Sequence, residues 1–539
     1  MYIIIFILLF LTGCQSEDVA FQNFTHILFQ SEVTSTTIGL HYTLENPEAY
    51  EITSVPVTFG TFHSDTLTTK VYFENLKSAL ESFSYASLSP ENQLTYDVVS
   101  SYIDVASAGC SFYLYEEPLS PLTGIHAQLP VLLAEYQFHS TDDIETYLSL
   151  LRTLPDYFDS LIQFEKEKAK AGLFMSDSVA DEVIAQCHSF VEMGNDNYLI
   201  STFEERINSL NTTNYIEENR EIVLNTVLPA YKKLANTITE LKGTGTNKSG
   251  LCYYPDGTDY YKYLVRYVTG SSRNISELRE LIQNQIDSDT ADLKKVLATS
   301  SNITMNLTPE ETLTYLQSKI VKTFPSSPDV SVEIKQVPHS LEKYLSPAYY
   351  LIPPIDNYTE NVIYINNHYS MDNISLFTTL AHEGYPGHLY QTTYYASTNP
   401  DPIRTCLNFN GYVEGWATYA EMCSYYISPL DKPLATLLQK NSSVVLGLYA
   451  AADIGIHYDG WDEKETYEFF SSYGIEEEDT VAEIYKAILG DPANYLSYYV
   501  GYVEILELKK EYVGTQMEFH KELLEIGPAP FCVIKEYLE

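Results

Sequence analysis

Two histidines and a glutamate stand close together in the segment HEGYPGH, residues 382–388. The residues TTLA before it have the apolar character of a helix, which would present His382 and Glu383 side by side. An imidazole can bind a metal ion, and a carboxylate beside it can accept a proton from water. The segment therefore predicts a zinc-type hydrolytic site, with His382 as a ligand and Glu383 as the general base.

The second histidine departs from the usual H-E-x-x-H spacing, in which two histidines four residues apart share a helix face. His388 follows His382 by six residues, which on an ideal helix leaves the two side chains about 120° apart. Pro386 lacks a backbone N–H, and Gly387 tolerates unusual dihedral angles. We therefore expect the helix to break between the two histidines, so that His388 can reach the same metal ion as His382.

A catalytic zinc site needs a third protein ligand, and the segment GYVEGWATYAE, residues 411–421, offers two carboxylates. Glu414 and Glu421 are seven residues apart and so lie on nearly the same helix face. Glu414 is predicted to be the ligand, and Glu421 to stand behind the ligands and orient an imidazole N–H. The reverse assignment stays open at this point.

The elements that must position these residues have mainly helical patterns. Apolar residues recur every three or four positions over residues 142–170, and similar patterns cover 175–190 and 222–241. Residues 331–337 and 362–365 are rich in β-branched side chains. The sequence predicts a mainly α fold with a small β-sheet near the helix that carries the histidines.

The glycine-rich loop KGTGTNKSG, residues 242–250, suggests a division of the chain. We expect an N-terminal helical part over residues 20–241 and a C-terminal zinc-hydrolase part over residues 251–539.

The chain begins with the apolar run MYIIIFILLFLTG, which ends at Cys14. The run is short for a membrane-spanning helix but fits the apolar region of a signal peptide. The residues LTGC, 11–14, resemble a bacterial lipobox, in which cleavage precedes a lipidated cysteine. Residues 1–19 are predicted to be a signal peptide with a lipidated Cys14 and a short tether; the alternative is a buried N-terminal element. The lipobox predicts an exported protein, lipid-anchored at the outer face of a bacterial membrane.

The charge of the chain argues against one class of partner. It carries 31 basic and 73 acidic residues, a net charge of -42. Phosphate backbones would repel such a chain, so nucleic acid is excluded as an expected partner. The sequence does not indicate an oligomeric state.

The runs HEGYPGHLYQ, residues 382–391, and EGWATYAE, residues 414–421, resemble the domain of unknown function 885 family, which sits among bacterial zincin-type metallopeptidases. Further matching segments spread the resemblance over nearly the whole mature chain, at residues 255–261, 349–354, 362–366, 453–461, 492–501 and 519–530. The resemblance implies one continuous family domain with a helical zincin-like (gluzincin-type) fold, a bound Zn2+ ion and hydrolytic activity.

The resemblance also implies candidates for stabilising a tetrahedral intermediate, because His457 and Tyr498 lie in matching segments. The expected function is a surface-anchored zinc metallopeptidase, acting on a peptide or small amide substrate, with its exo- or endopeptidase type left open. The alternative is a non-catalytic lipoprotein that binds peptide or glycan in a degenerate zincin cleft. Retention of Glu383 favours the enzyme, since a binding module needs no general base.

Overall fold

The computed structural model describes residues 16–62, 66–121, 123–208, 210, 213–296, 307–337, 342 and 345–538. Cys14 and the lipobox lie outside the described residues. The helices are α1 Glu17–Val33, α2 Thr37–Thr43, α3 Thr66–Leu80, α4 Pro90–Gly109, α5 Ile125–Ala134, α6 Thr141–Ala171, α7 Asp177–Glu192, α8 Tyr198–Asn208, α9 Ile216–Ile222, α10 Leu228–Leu241, α11 Gly257–Thr269, α12 Ile275–Leu293, α13 Pro309–Ile320, α14 Asn373–Glu383, α15 His388–Ser397, α16 Ile403–Cys406, α17 Asn410–Ile427, α18 Lys432–Ile454, α19 Glu463–Ser472, α20 Glu478–Gly490, α21 Asn494–Glu511, α22 Gln516–Ile526 and α23 Phe531–Tyr537. The strands are β1 Ser331–Gln336, β2 Ala348–Leu351 and β3 Glu360–Ile365.

The predicted mainly helical fold with a small sheet is confirmed. The apolar repeat over residues 142–170 corresponds to α6, which begins with a capping box formed by Ser140 and Asp143 and ends at Gly172 in the left-handed conformation. Helix α1 begins at Glu17, inside the segment predicted to be a tether. No helix in the described ranges has both the length and the apolar character needed to cross a membrane.

The sheet has the strand order β1-β3-β2, so β2 lies at an edge. Strand β1 pairs with β3 in parallel, and β2 pairs with β3 antiparallel, with Tyr350 opposite Ile363. The free side of β2 runs beside α14, the helix that carries His382 and Glu383. The sequence predicted β1 and β3 but gave no strand signal for β2.

Strand β3 is buried on both faces because it lies between two hydrophobic cores. Ile363 and Ile365 belong to a core formed with α1–α4 and most helices from α11 to α23, whereas Tyr364 belongs to a core formed mainly by α5–α10. Successive side chains of a strand point to opposite faces, which explains the uninterrupted apolar run in β3. Residues 20–241, expected to be one helical part, therefore contribute to both cores.

Candidate metal centre

The helix that carries His382 breaks where the sequence predicts. Helix α14 ends at Glu383, and α15 begins at His388. Between them, Gly384 has φ -110° and ψ -101°, Gly387 has φ -81° and ψ -134°, and the Tyr385–Pro386 peptide bond is cis. The two histidines thus lie on separate helices that meet at the break.

The two glycines of the break are required by the space around them. A Cβ atom on Gly387 would lie 1.7 Å from the carbonyl oxygen of His382, and one on Gly384 would lie 2.8 Å from the carbonyl oxygen of Leu380. No larger residue fits at Gly387 without moving the backbone that carries the first histidine. The sequence thus specifies this turn locally.

The break brings the three predicted ligands together. One ligand atom each from His382, His388 and Glu414 lie within 4.8 Å of one another. Glu414 Oε2 lies 3.7 Å from His382 Nε2 and 3.5 Å from His388 Nε2. The imidazole rings are nearly perpendicular, at 83°, with their centroids 4.8 Å apart. Two nitrogens and one carboxylate oxygen form a ligand set that zinc accepts in catalytic sites.

The carboxylate of Glu414 fits a metal ligand for a second reason. Its Oε2 atom is buried and has no hydrogen-bond partner, although a buried anionic oxygen is costly unless it is paired. A buried carboxylate oxygen without a donor between two imidazoles is what a bound cation would satisfy.

Glu421 contacts the other side of the His382 ring. The Nδ1–H group of His382 donates to Glu421 Oε2 at 3.2 Å, which leaves Nε2 directed towards Glu414. This carboxylate–imidazole contact fixes the ring orientation and the tautomer of a ligand histidine. The geometry supports Glu414 as the ligand and Glu421 as the residue that orients His382, rather than the reverse.

Glu383 is held by the sheet edge. Its Oε2 atom accepts a hydrogen bond of 2.9 Å from the backbone N–H of Tyr350 in β2. Because this contact uses a backbone group, no side-chain type at position 350 could have indicated it in the sequence.

Tyr498 also lies at the cluster. Its ring packs nearly parallel to that of His382, with the centroids 6.3 Å apart and a 25° interplanar angle. Burial, followed by the nearby carboxylates of Glu414 and Glu383, raises the pKa of Tyr498. The phenol therefore stays protonated and can donate a hydrogen bond.

His457 has its contacts elsewhere, and its expected role as a donor is not supported. It lies in a π-helical turn, Gly455–Asp459, that follows α18. Its Nδ1 atom accepts the N–H of Leu251 at 3.2 Å, and Nε2–H donates to the carbonyl of Ile488 at 2.9 Å. Burial lowers the pKa of His457 to about 4. With both ring nitrogens engaged by backbone groups, this neutral histidine has no N–H left for a substrate.

Helices α17 and α21 cross at glycines, which brings Glu414 and Tyr498 to the same site. A Cβ atom on Gly501 would lie 2.0 Å from the carbonyl oxygen of Gly411, and one on Gly415 would lie 2.4 Å from the carbonyl carbon of Gly501. The backbones are thus in direct contact. The sequence analysis did not predict this crossing, although Gly411 and Gly415, four residues apart on one helix face, could have indicated it.

Comparison with known proteins gives relatives without an assigned activity. The chain matches a solved structure described as "the putative lipoprotein from Colwellia psychrerythraea", with a TM-score of 0.82, 16% identity and coverage of 97% of this chain and 98% of that one. It also matches "a putative lipoprotein of unknown function from Shewanella oneidensis", with a TM-score of 0.66, 15% identity and coverage of 97% and 99%. No curated protein matches. The profile described as "Bacterial protein of unknown function (DUF885)" matches residues 68–538, and the chain therefore belongs to the DUF885 family.

Proposed function

We propose that this protein is a zinc-dependent peptidase in which His382, His388 and Glu414 hold the metal ion. The observation that carries the proposal is the buried Glu414 Oε2 atom, which lies between two imidazole nitrogens without a hydrogen-bond donor. The neighbouring Glu383 supplies the general base that such a site needs for hydrolysis.

Each side chain at the site has a distinct part in the proposed reaction. When bound there, zinc supplies Lewis-acid chemistry, since it polarises a carbonyl oxygen and acidifies a water molecule. With Oε2 held by the Tyr350 N–H, Glu383 uses its other oxygen to take a proton from the attacking water. Glu383 then returns this proton to the leaving amine. Tyr498 donates its O–H to the oxyanion that develops on the scissile carbonyl.

The edge strand supports a peptide as the substrate. In an antiparallel pair, alternate residues direct their backbone groups away from the partner strand. Tyr350 is such a residue, because its N–H points from the sheet to Glu383. An extended peptide laid along this edge can pair with β2, which is a common mode of peptide recognition. Its scissile bond would then lie next to the general base.

We also assign the fold to the zincin-like, gluzincin-type class. In support, a His-Glu pair ends a helix beside an edge strand, and a glutamate on the later helix α17 completes the ligand set.

For localisation, we propose an exported lipoprotein anchored through Cys14. The LTGC segment and the naming of two similar structures as lipoproteins support this proposal. Loss of membrane fractionation and of lipid labelling in Cys14→Ser checks it.

The proposed activity is tested with purified protein, a peptide library and a Glu383→Gln control. We expect one zinc ion per chain by metal analysis and cleavage of some library peptides. Glu383→Gln should retain zinc but lose about 10²–10⁴-fold in kcat, the usual contribution of a general base. A protein that binds zinc and cleaves no peptide would favour the peptide- or glycan-binding lipoprotein. A protein that binds no zinc would contradict the metal site itself.

A further inference from the structure

We propose that Trp416 is the positioning residue of the metal centre. Its indole N–H holds the chain break between the two histidine ligands against the helix that carries the glutamate ligand. The inference rests on the proposed metal site and adds to it the residue that sets its geometry.

One hydrogen bond connects the break to α17. Trp416 Nε1–H donates to the carbonyl oxygen of Pro386 at 2.8 Å. Pro386 lies two residues before His388, and Trp416 lies two residues after Glu414. The bond therefore connects the segment just before the second histidine ligand to the helical turn that carries the glutamate ligand.

The carbonyl of Pro386 needs this partner. It lies in the interruption between α14 and α15, and Pro386 itself is buried. A buried carbonyl without a donor is unfavourable, so native chains pair nearly all of them. If the indole N–H were removed, the segment from Glu383 to His388 would have to rearrange to find another donor, and His388 would move with it.

The indole ring is fixed from several sides. Trp416 is 0% exposed. Phe324 and His520 contact it edge to face, with ring centroids 6.0 Å and 5.7 Å away. His520 is itself held by the O–H of Tyr419 at 2.8 Å and by the carbonyl of Thr323 at 2.7 Å. A side chain packed in this way can hold a bonded group in one position.

The sequence offers a matched control, because the chain has two tryptophans and the second is Trp461. Trp461 packs against Phe469, with ring centroids 5.1 Å apart, and against Gly455. It makes no contact with the proposed ligands in the described part of the chain. Trp461→Phe therefore removes an indole N–H without touching the break.

The experiment compares zinc affinity in the full-length wild-type, Trp416→Phe and Trp461→Phe proteins by competition with a chromophoric chelator. Phenylalanine keeps most of the ring volume but cannot donate. We expect a dissociation constant for zinc 10–100-fold higher in Trp416→Phe, the usual effect of losing a group that orients a ligand. Trp461→Phe should match the wild type to within about twofold. Equal zinc affinity in wild type and Trp416→Phe would overturn the inference while leaving the metal site intact. Failure of the wild type to bind zinc would instead overturn the proposed function.

A second measurement covers the case in which Trp416→Phe does not fold. In Trp461→Phe labelled with ¹⁵N-tryptophan, one indole signal remains and it belongs to Trp416. If the indole N–H clamps the break, zinc should slow exchange of this proton with deuterium by about tenfold or more, since the ligands then restrain the break from both ends. An exchange rate that zinc leaves unchanged would contradict the proposal.

Discussion

Tyr498 brings a neutral hydroxyl to a site whose other groups are carboxylates and imidazoles. Burial and the nearby carboxylates raise its pKa, so the hydroxyl is protonated near neutral pH. Tyr498→Phe should lower kcat by about 10²-fold, the scale of a lost oxyanion donor, with zinc content unchanged. Steady-state kinetics on a cleaved peptide, with metal analysis, measures this. The control is Tyr495→Phe on the same helix, whose ring packs on Tyr449. Equal turnover in both variants would remove Tyr498 from the mechanism.

His457 is expected to act on stability rather than on turnover. Its ring joins the backbone of Leu251 to that of Ile488 in the core. His457→Ala leaves both groups unpaired beside a new cavity, and we expect a loss of about 2–4 kcal/mol in the free energy of unfolding. Urea unfolding measures the loss, and kcat of the folded variant should stay near the wild-type value. A large drop in kcat without lost stability would restore His457 to the site.

The contribution of His457 to the stability of the folded protein should change with pH in one definite direction. The pKa of His457 is about 4 in the folded protein and near 6.5 when the chain is unfolded. Between these values the unfolded chain binds more protons, so the histidine's contribution to stability falls as the pH is lowered from 6.5 towards 4. Unfolding curves of wild type and His457→Gln over this range should therefore converge at low pH. Parallel curves would show that His457 is not buried as a neutral ring.

Some residues of the site could be predicted from the sequence and others could not, for physical reasons. His382, Glu383 and His388 carry their chemistry in their side chains, and Pro386 with Gly387 indicated the break. His457 was misassigned because a histidine bonded to backbone on both sides looks, in sequence, like any other histidine. The roles of the Tyr350 N–H and the Pro386 carbonyl were missed, since backbone groups are the same at every residue.

At the scale of the elements, the break between α14 and α15 is a turn that tolerates only glycine at residue 387. Gly387→Ala would put a Cβ atom 1.7 Å from the carbonyl oxygen of His382, so the two histidine helices must separate. We expect zinc affinity to fall by more than tenfold and the melting temperature of the zinc-free protein to drop by several degrees. Isothermal titration and thermal unfolding measure the two effects.

Gly490→Ala is the matched control for that variant. Its Cβ atom would make only ordinary contacts, 3.7 Å or more from Pro121. This variant should bind zinc as the wild type does. If Gly387→Ala behaved the same way, the break would be far more adaptable than its geometry indicates.

The helices and strands could be predicted from the sequence where their apolar or β-branched pattern extends over enough residues. Helix α6 shows its apolar repeat over most of its length, and β1 and β3 have β-branched runs. Strand β2, only four residues long, is too short for a reliable alternation. The packing of α1–α4 with the C-terminal helices depends on contacts between distant segments, which local patterns do not contain.

At the scale of the whole molecule, a net charge of -42 acts on any charged substrate. At the site itself, the three carboxylates of Glu383, Glu414 and Glu421 outnumber the two positive charges of a bound zinc ion. Cationic peptides should therefore show a higher kcat/KM than acidic peptides of the same length, and added salt should narrow the difference. Paired peptides that differ only in flanking Lys or Glu, assayed at low and high salt, measure this. A ratio independent of salt would exclude long-range attraction.

The hydrogen bond between Tyr350 and Glu383 has a further consequence, for self-association. An exposed sheet edge invites a strand from a neighbouring copy, and natural proteins blunt such edges with short strands, prolines and inward-pointing charges. Strand β2 is short, Pro353 and Pro354 follow it, and Glu383 occupies one of its outward N–H groups. The carboxylate proposed to move protons thus also occupies one N–H group that a strand from a neighbouring copy would need for pairing. If residue 383 lost its hydrogen-bond acceptor, we expect the protein to become less soluble, in addition to losing its proposed general base.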